Sequence, residues 1–265
     1  MPRFWDFLRR PLRSTPLEWP LKRSLFYRWY LQVKAPDYLR RTAQETAFYR
    51  GLLAGWDNPL VFDVGANRGE KTQIFLDLGA SVICFDPEPS CARLLQNRFT
   101  SYGSRVVVLC TALASREGDA TMFVHQSGSG YNTLDPQWAA KVSGEAGRDP
   151  ASITVETRTL DALIRSFGRP DYIKIDVEGY EAEVLSGLHQ RIPLITFEVN
   201  LPDFARQGAG CIQELVSLDA HARFNYFVSC AEGEVLPAPL PAGEFSAVFS
   251  SLKESSVEVV CRMDC

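Results

Sequence analysis

The stretch LVFDVGANRG, residues 60–69, is a short continuous apolar run that ends in an acid and a glycine and then opens a helical pattern. An apolar run without alternation reads as a strand buried on both faces. The pattern returns at SVICFD (81–86), SRVVVLCTAL (104–113), DYIKID (171–176) and PLITFEV (193–199). Helical spacing follows three of these runs, over about 69–78, 89–99 and 179–189. Strand and helix in alternation build a parallel sheet with helices on both faces. A helical stretch over 37–55 precedes the first strand, with Leu39, Phe48, Leu52 and Leu53 at its apolar positions and Gly55 as its stop. ATMFVH (120–125) and ITVETRTL (153–160) alternate and read as antiparallel strands. In the last third, 212–222 is helical and FNYFVS (224–229) is a run after it. FSAVFS (245–250) and VEVVC (257–261) read as a final strand pair closing the sheet edge.

The chain has 265 residues, 46% apolar and 23% charged, which excludes a disordered, collagen-like or coiled-coil protein. No apolar run approaches the length of a membrane-spanning helix. The net charge of -4 is uneven: residues 1–41 hold ten Lys/Arg against three Asp/Glu, a local +7, so the remainder carries -11. We read 1–45 as a basic extension and 46–265 as one domain. Phe4, Trp5, Phe7 and Leu8 among Arg3, Arg9, Arg10 and Arg13 suit a membrane-surface or protein contact; a packed extension is the alternative. The seven cysteines form no CxxC pair, which argues against zinc and for a reducing, cytoplasmic setting. Cys84 and Cys110 lie within apolar runs and read as small hydrophobes. Segment 126–151, the longest irregular stretch, reads as a lid-like insertion with Tyr131 and Trp138 as its large groups.

Four strand ends carry chemistry. In Asp63-Val64-Gly65-Ala66-Asn67-Arg68-Gly69, Gly65 permits a sharp turn and Gly69 a close approach of ligand or strand to the helix start. The dinucleotide fingerprint is not met, since Asn67 stands where a second glycine belongs and the spacing differs. Asp63 repels phosphate, so the turn suits a cationic ligand without one; S-adenosylmethionine, with its sulfonium and ammonium groups, fits. An ordinary strand-turn-helix is the plain alternative. Asp86, 21 residues past Gly65, can accept ribose hydroxyls. It can instead cap the next helix, and Glu88 competes for either role.

Lys174-Ile175-Asp176-Val177-Glu178-Gly179-Tyr180-Glu181 places charges at the carboxyl end of a core strand, the ligand-binding edge of an open parallel sheet. Asp176 and Glu178 point the same way if the strand extends through them. Two adjacent acids need a cation nearby, and a sulfonium, a metal or Lys174 meets that need. Stabilisation of a helix N-terminus is the alternative, and for Glu181 the preferred one. Glu198-Val199-Asn200 lines the same crevice or forms a solvated strand end.

At these residues the chain resembles the FkbM-type family of S-adenosylmethionine-dependent methyltransferases. VFDVGANRGEKT (61–72), CFDPEP (84–89), TALASREG (111–118), RTLDAL (158–163), YIKIDVEGYEAEVLSGL (172–188) and ITFEVN (195–200) carry the resemblance, in family order. It implies a class I methyltransferase fold, a Rossmann-like three-layer α/β sandwich whose mostly parallel, seven-stranded sheet has an antiparallel last strand. It implies methyl transfer to a hydroxyl of a sugar, a polyketide or another small molecule. The cofactor contacts it implies are Asp63, Gly65, Ala66, Asn67, Gly69, Asp86, Pro87, Glu88, Thr111, Ala112, Asp176, Val177 and Glu178. Asp86 is then a shortened form of the acid found at the second strand end. Tyr131, Asn132 and Thr133 of the lid, with Glu198 and Asn200, are assigned to the acceptor.

Methyl transfer from a sulfonium is an in-line displacement in which positioning does much of the work. A hydroxyl acceptor needs a base, for which Asp176, Glu178, Glu198 and His125 are candidates. S-adenosylmethionine is the expected cofactor; a divalent metal is not favoured. Two rival readings are a non-catalytic S-adenosylmethionine-binding protein and a nucleic-acid methyltransferase. Acids at every expected strand end argue against the first. The second needs a loop of [ND]-P-P-[YFW] type, where Asp176-Val177-Glu178-Gly179 instead repels a phosphate backbone. A nicotinamide oxidoreductase lacks its fingerprint.

Overall fold

The structure, a computed structural model, describes residues 33 and 35–264. The aromatic and cationic stretch at 3–13 lies outside the described residues. The first full helix among the described residues, α1 (Pro36–Leu52), runs through position 45, where the extension was expected to end. Its Tyr49 and Leu52 are buried.

The chain then alternates as its apolar runs require: β1 (Leu60–Val64), α2 (Glu70–Asp77), β2 (Ser81–Phe85), α3 (Pro89–Phe99), β3 (Val106–Leu109). After an excursion come β7 (Tyr172–Ile175), α6 (Glu181–Leu185), β8 (Leu194–Asn200), α7 (Ala205–Leu218) and β9 (Arg223–Phe227). The chain closes with β10 (Leu240–Pro241), α8 (Ala242–Ser250) and β11 (Ser256–Arg262). These strands form one sheet in the order β10-β9-β11-β8-β7-β1-β2-β3. β1, β2, β3, β7 and β8 are parallel, and β11 runs antiparallel between β8 and β9. The mostly parallel sheet with an antiparallel last strand is as expected. Among the described residues its count is eight, because the two-residue β10 adds an edge beside β9.

The excursion holds β4 (Ala112–Leu113), β5 (Gly118–Val124), α4 (Pro136–Ala146), β6 (Ala151–Arg158) and α5 (Leu160–Phe167). β5 and β6 are antiparallel and, with β4, make a three-stranded second sheet. One apolar layer joins Phe62, Ile173 and Phe197 of the sheet to α5, α7 and α8. The other joins Val61, Val82 and Tyr172 to α1, α2 and α3. Helices therefore cover both faces, as near-continuous apolar strands demand.

Several local expectations are corrected. SRVVVLCTAL is two strands: the chain leaves the main sheet after Leu109, and Ala112–Leu113 pairs with β6 instead. The break exposes Cys110, so that thiol is not a core hydrophobe, whereas Cys84 is buried. FSAVFS is helical, because Phe245 and Phe249 stand one turn apart and both enter the core. Phe245 stacks on Phe224 at 5.5 Å. The helix after β7 stops at Leu185 rather than 189, since Gly187 passes beneath the Ala114 carbonyl, 2.4 Å from where a Cβ would sit. The strand expected to run to 160 ends at Arg158, where Thr159 caps α5 by accepting from the Ala162 N–H at 3.1 Å.

Segment 126–151 is not irregular throughout. Asp135 caps α4 by accepting from the Trp138 N–H at 2.7 Å, and Gly147 ends it in the left-handed region. Trp138 is a core residue packed on Phe204 at 5.5 Å, not an exposed lid group. Tyr131 is exposed.

Candidate functional site

The parallel strands end together, and a cavity opens over the ends of β1, β2 and β7. Its floor is set by Gly65, at a φ of +82°. A Cβ there would lie 1.8 Å from the Asp176 carbonyl oxygen, so only glycine lets β1 and β7 close at this point. The Gly65 and Ala66 N–H groups both donate to the Phe85 carbonyl, at 2.9 and 3.0 Å. Gly69 has a different task from the expected one. A Cβ on it would strike Leu95 and Phe99 of α3, so it gives clearance for helix packing rather than for a ligand.

Asp86 is buried and held by backbone donors. One carboxylate oxygen accepts from Asn67 N–H at 2.8 Å and the other from Glu88 N–H at 3.0 Å. Burial pushes its pKa up to about 7 against the pull of these donors. Glu88 faces the excursion: its Oε2 accepts from Gly128 N–H at 2.7 Å and from Asn132 Nδ2 at 3.3 Å. Across the cavity, Thr133 Oγ1 donates to the Glu178 carbonyl at 2.7 Å. Residues 128–133 thus bridge the β2 and β7 ends and roof the cavity. Ser129, Gly130, Asn132, Thr133 and Leu134 line it.

The far wall carries the acids. The strand stops at Ile175, so Asp176 and Glu178 do not share its alternation as expected. A turn brings them together: Glu178 has a φ of +55° and Gly179 of +93°. Glu181 holds that turn by accepting from the Val177 and Gly179 N–H groups at 3.1 and 3.2 Å, which is more direct than the dipole effect expected of it. Carboxylate oxygens of Asp176, Glu178 and Glu198 lie within 4.8 Å of one another. Glu198 comes from β8 and accepts from Ser256 Oγ at 2.7 Å; Asn200 Nδ2 donates to Glu178 at 3.4 Å. The cation that such a cluster needs is present in Lys174, whose Nζ donates to Asp176 at 2.7 Å.

These surroundings set the charges. Burial pushes the Glu178 carboxyl up to about 9, aided by Asp176 and Glu198. Burial and the Asp176 charge push Glu198 up to about 8. Burial also works upward on Asp176, but the Lys174 ammonium and its hydrogen bond, with one from Glu198, hold it below the ordinary carboxylate value.

Of the residues singled out from sequence, Gly65, Asn67, Asp86, Pro87, Glu88, Thr111, Ala112, Asn132, Thr133, Asp176, Val177 and Glu178 line this one cavity. Asp63, Ala66, Gly69, His125, Tyr131, Glu198 and Asn200 do not. Asp63 is buried behind the turn and accepts from Thr72 Oγ1 at 2.5 Å. His125 offers only its backbone, with its N–H on Asn132 Oδ1 at 3.0 Å, and its Nε2 is buried without a partner among the described residues. Sequence reasoning did not single out Cys91, Met122 or Leu134 as cavity-lining residues. They come from α3, β5 and the roof, and carry no local signal of a shared site.

The family described as "Methyltransferase FkbM domain" matches over residues 63–229. The hexuronic acid methyltransferase AglP of Haloferax volcanii is 30% identical over 146 residues, 54% of this chain and 55% of that protein. The methyltransferase sdnD of Sordaria araneosa is 28% identical over 160 residues, 50% of this chain and 61% of that protein. The 2-O-methyltransferase NoeI of Sinorhizobium fredii is 26% identical over 142 residues, 49% of this chain and 57% of that protein. The chain spans between half and two thirds of the length of these relatives. Among solved structures, a precorrin-6Y C5,15-methyltransferase from Geobacter metallireducens superposes with a TM-score of 0.44 at 8% identity, covering 84% of this chain and 88% of that one. Among the described residues, no helix is long and apolar enough to cross a membrane.

Proposed function

Because the chain belongs to the FkbM methyltransferase domain family, we propose that it transfers a methyl group from S-adenosylmethionine to a hydroxyl oxygen of a small molecule, sugar-like or polyketide-like. The observation that carries this reading is one cavity with a buried acid, Asp86, at one end and the Asp176–Glu178 wall at the other. The residues present fit the cofactor. Phe85, Leu113 and Met122 offer apolar surface for a base, and Asp86 keeps free lone pairs for ribose hydroxyls. Glu88 is engaged with the roof, which leaves Asp86 the ribose role.

Bound S-adenosylmethionine supplies an electrophilic methyl group, and the rest falls to the chain. The roof at 128–133 excludes water. Asp176, ionised and anchored, orients the acceptor hydroxyl and takes its proton. A carboxylate of low basicity suffices, because the hydroxyl proton becomes strongly acidic as the oxygen–carbon bond forms. Glu198 and Asn200, behind that wall, support the carboxyls that face the acceptor: Glu198 hydrogen-bonds Asp176 and Asn200 donates to Glu178. The name of AglP, a hexuronic acid methyltransferase, supports a sugar acceptor, and that of NoeI, a 2-O-methyltransferase, supports transfer to oxygen.

The test uses labelled S-adenosylmethionine with neutral glycosides, a hexuronic acid and a polyketide alcohol. Label is expected in an ether-linked methyl group of one of these acceptors. Label found only as a methyl ester or on nitrogen would refute hydroxyl transfer.

A further inference from the structure

Lys174 is 1% exposed, in the middle of the sheet. Its register neighbours are Asp63 on β1 and Thr196 on β8, so all three side chains lie on one face. Its ammonium is out of water and touches Asp176 Oδ2 at 2.7 Å. Asp63, the nearest alternative partner on β1, is already bonded to Thr72. Asp176 differs from its neighbours in facing two ways: one oxygen meets the buried ammonium, yet 34% of the side chain is exposed and it lines the cavity. A buried ion pair adds little net stability over an apolar residue of the same size. What it does supply is a fixed negative charge at the cavity wall.

From this geometry we infer that Lys174 is a positioning residue, which holds the Asp176 carboxylate in place and ionised against the sulfonium of the methyl donor. The inference rests on the reading that this cavity takes S-adenosylmethionine. Other charged groups face the pair from each packed element: Asp63 from β1, Lys71 from α2, Glu198 from β8, Glu258 from β11 and Glu178 from the turn. Tyr49 and Tyr172 stand beside them. Lys71 is spent on Glu45 at 2.9 Å, nearer the surface. Lys174 is therefore the cation in direct contact with Asp176.

S-adenosylmethionine and S-adenosylhomocysteine separate this role from a structural one, since they differ by the charged methyl and share all other groups. Calorimetric affinities for both are measured between pH 5.5 and 7, below the titration range of Glu178 and Glu198, for wild type, Lys174→Met, Lys174→Arg and Asp176→Asn. In wild type the ratio of the two affinities is expected to stay level across this range. In Lys174→Met the methyl donor is expected to weaken about tenfold more than its product at pH 6, which is about one pKa unit of lost charge. The ratio should recover as pH rises and Asp176 ionises. Lys174→Arg should stay near wild type, and Asp176→Asn should lose the preference at every pH. A Lys174→Met chain that weakens both ligands alike overturns the inference. So does an Asp176→Asn chain with the wild-type ratio, a result that stands even if Lys174→Met does not fold. Wild type binding neither ligand overturns the cofactor reading itself.

Discussion

The two ends of the cavity handle their acids in opposite ways. At the β1–β2 end, Asp86 rests on two backbone N–H groups and Glu88 on a third, at 2.7–3.0 Å. At the β7–β8 end, Asp176, Glu178 and Glu198 face one another, with Lys174 on Asp176. Asn67 and Glu88 follow closely on β1 and β2, so their N–H groups hold Asp86 in a preformed cradle, and Gly128 ties Glu88 to the roof. Side-chain carboxyls within 4.8 Å of one another share charge and protons, so the second end responds to whatever cation or hydroxyl arrives. Rigidity suits a constant cofactor, and adjustable protonation suits an acceptor that must lose a proton.

The largest expected effect belongs to the rigid end. Gly65→Val places a side chain on the Asp176 carbonyl and forces a branched residue into a φ of +82°. It should cost about 3 kcal/mol or more and abolish cofactor binding, read by denaturant titration and calorimetry. If Gly65→Val binds normally, the close approach of β1 and β7 is not needed.

Next comes Asp176→Asn. We expect methyl transfer to drop about 10²-fold or more in turnover, the scale of lost acid–base catalysis. The fold should survive, because Asp63 and Glu258 stand close enough to ionise beside Lys174. Near-normal turnover would erase the functional difference between the two ends. Asp86→Ala should weaken S-adenosylmethionine by about 1.5–3 kcal/mol in calorimetry and lower stability as well, since it leaves the Asn67 and Glu88 N–H groups without their acceptor.

A smaller effect tests the adjustable end through pH. The Glu178 and Glu198 carboxyls are raised to about 9 and about 8 in the folded chain. Below the ordinary glutamate value both states hold these protons, and there is no penalty. As pH rises, the unfolded chain ionises first and the folded one resists, so stability falls from about pH 4.5 up to about 8 for Glu198 and about 9 for Glu178. Glu178→Gln should remove part of that fall, shifting Tm at pH 8 upward by about 2–4 °C. A melting profile parallel to wild type would show that Glu178 ionises normally. The smallest effect is expected at Tyr131, 58% exposed on the roof: Tyr131→Ala should change stability by less than about 0.5 kcal/mol. A larger loss would make the roof part of the core.

The sequence by itself determined the alternation of buried strands and helices, the turn at Gly65 and the acids at the strand ends. Near-continuous apolar runs at 60–64, 81–85 and 172–175, interrupted by Asp63 and Lys174, have one low-energy use, and a glycine soon after an acid marks where such a strand stops. Local pattern failed where two periods agreed over a short window, as at FSAVFS, or where one run served two sheets, as at 104–113. Only the tertiary structure decided which acids meet. Glu198 reaches Asp176 because β8 lies beside β7, and Lys174 finds Asp176 because the sheet interior denies its ammonium water. His125 looked like a candidate base and was placed away from the cavity by the path of β5. Spacing along a chain specifies which elements form; distances between elements follow from packing, and the charges at this site are set by those distances.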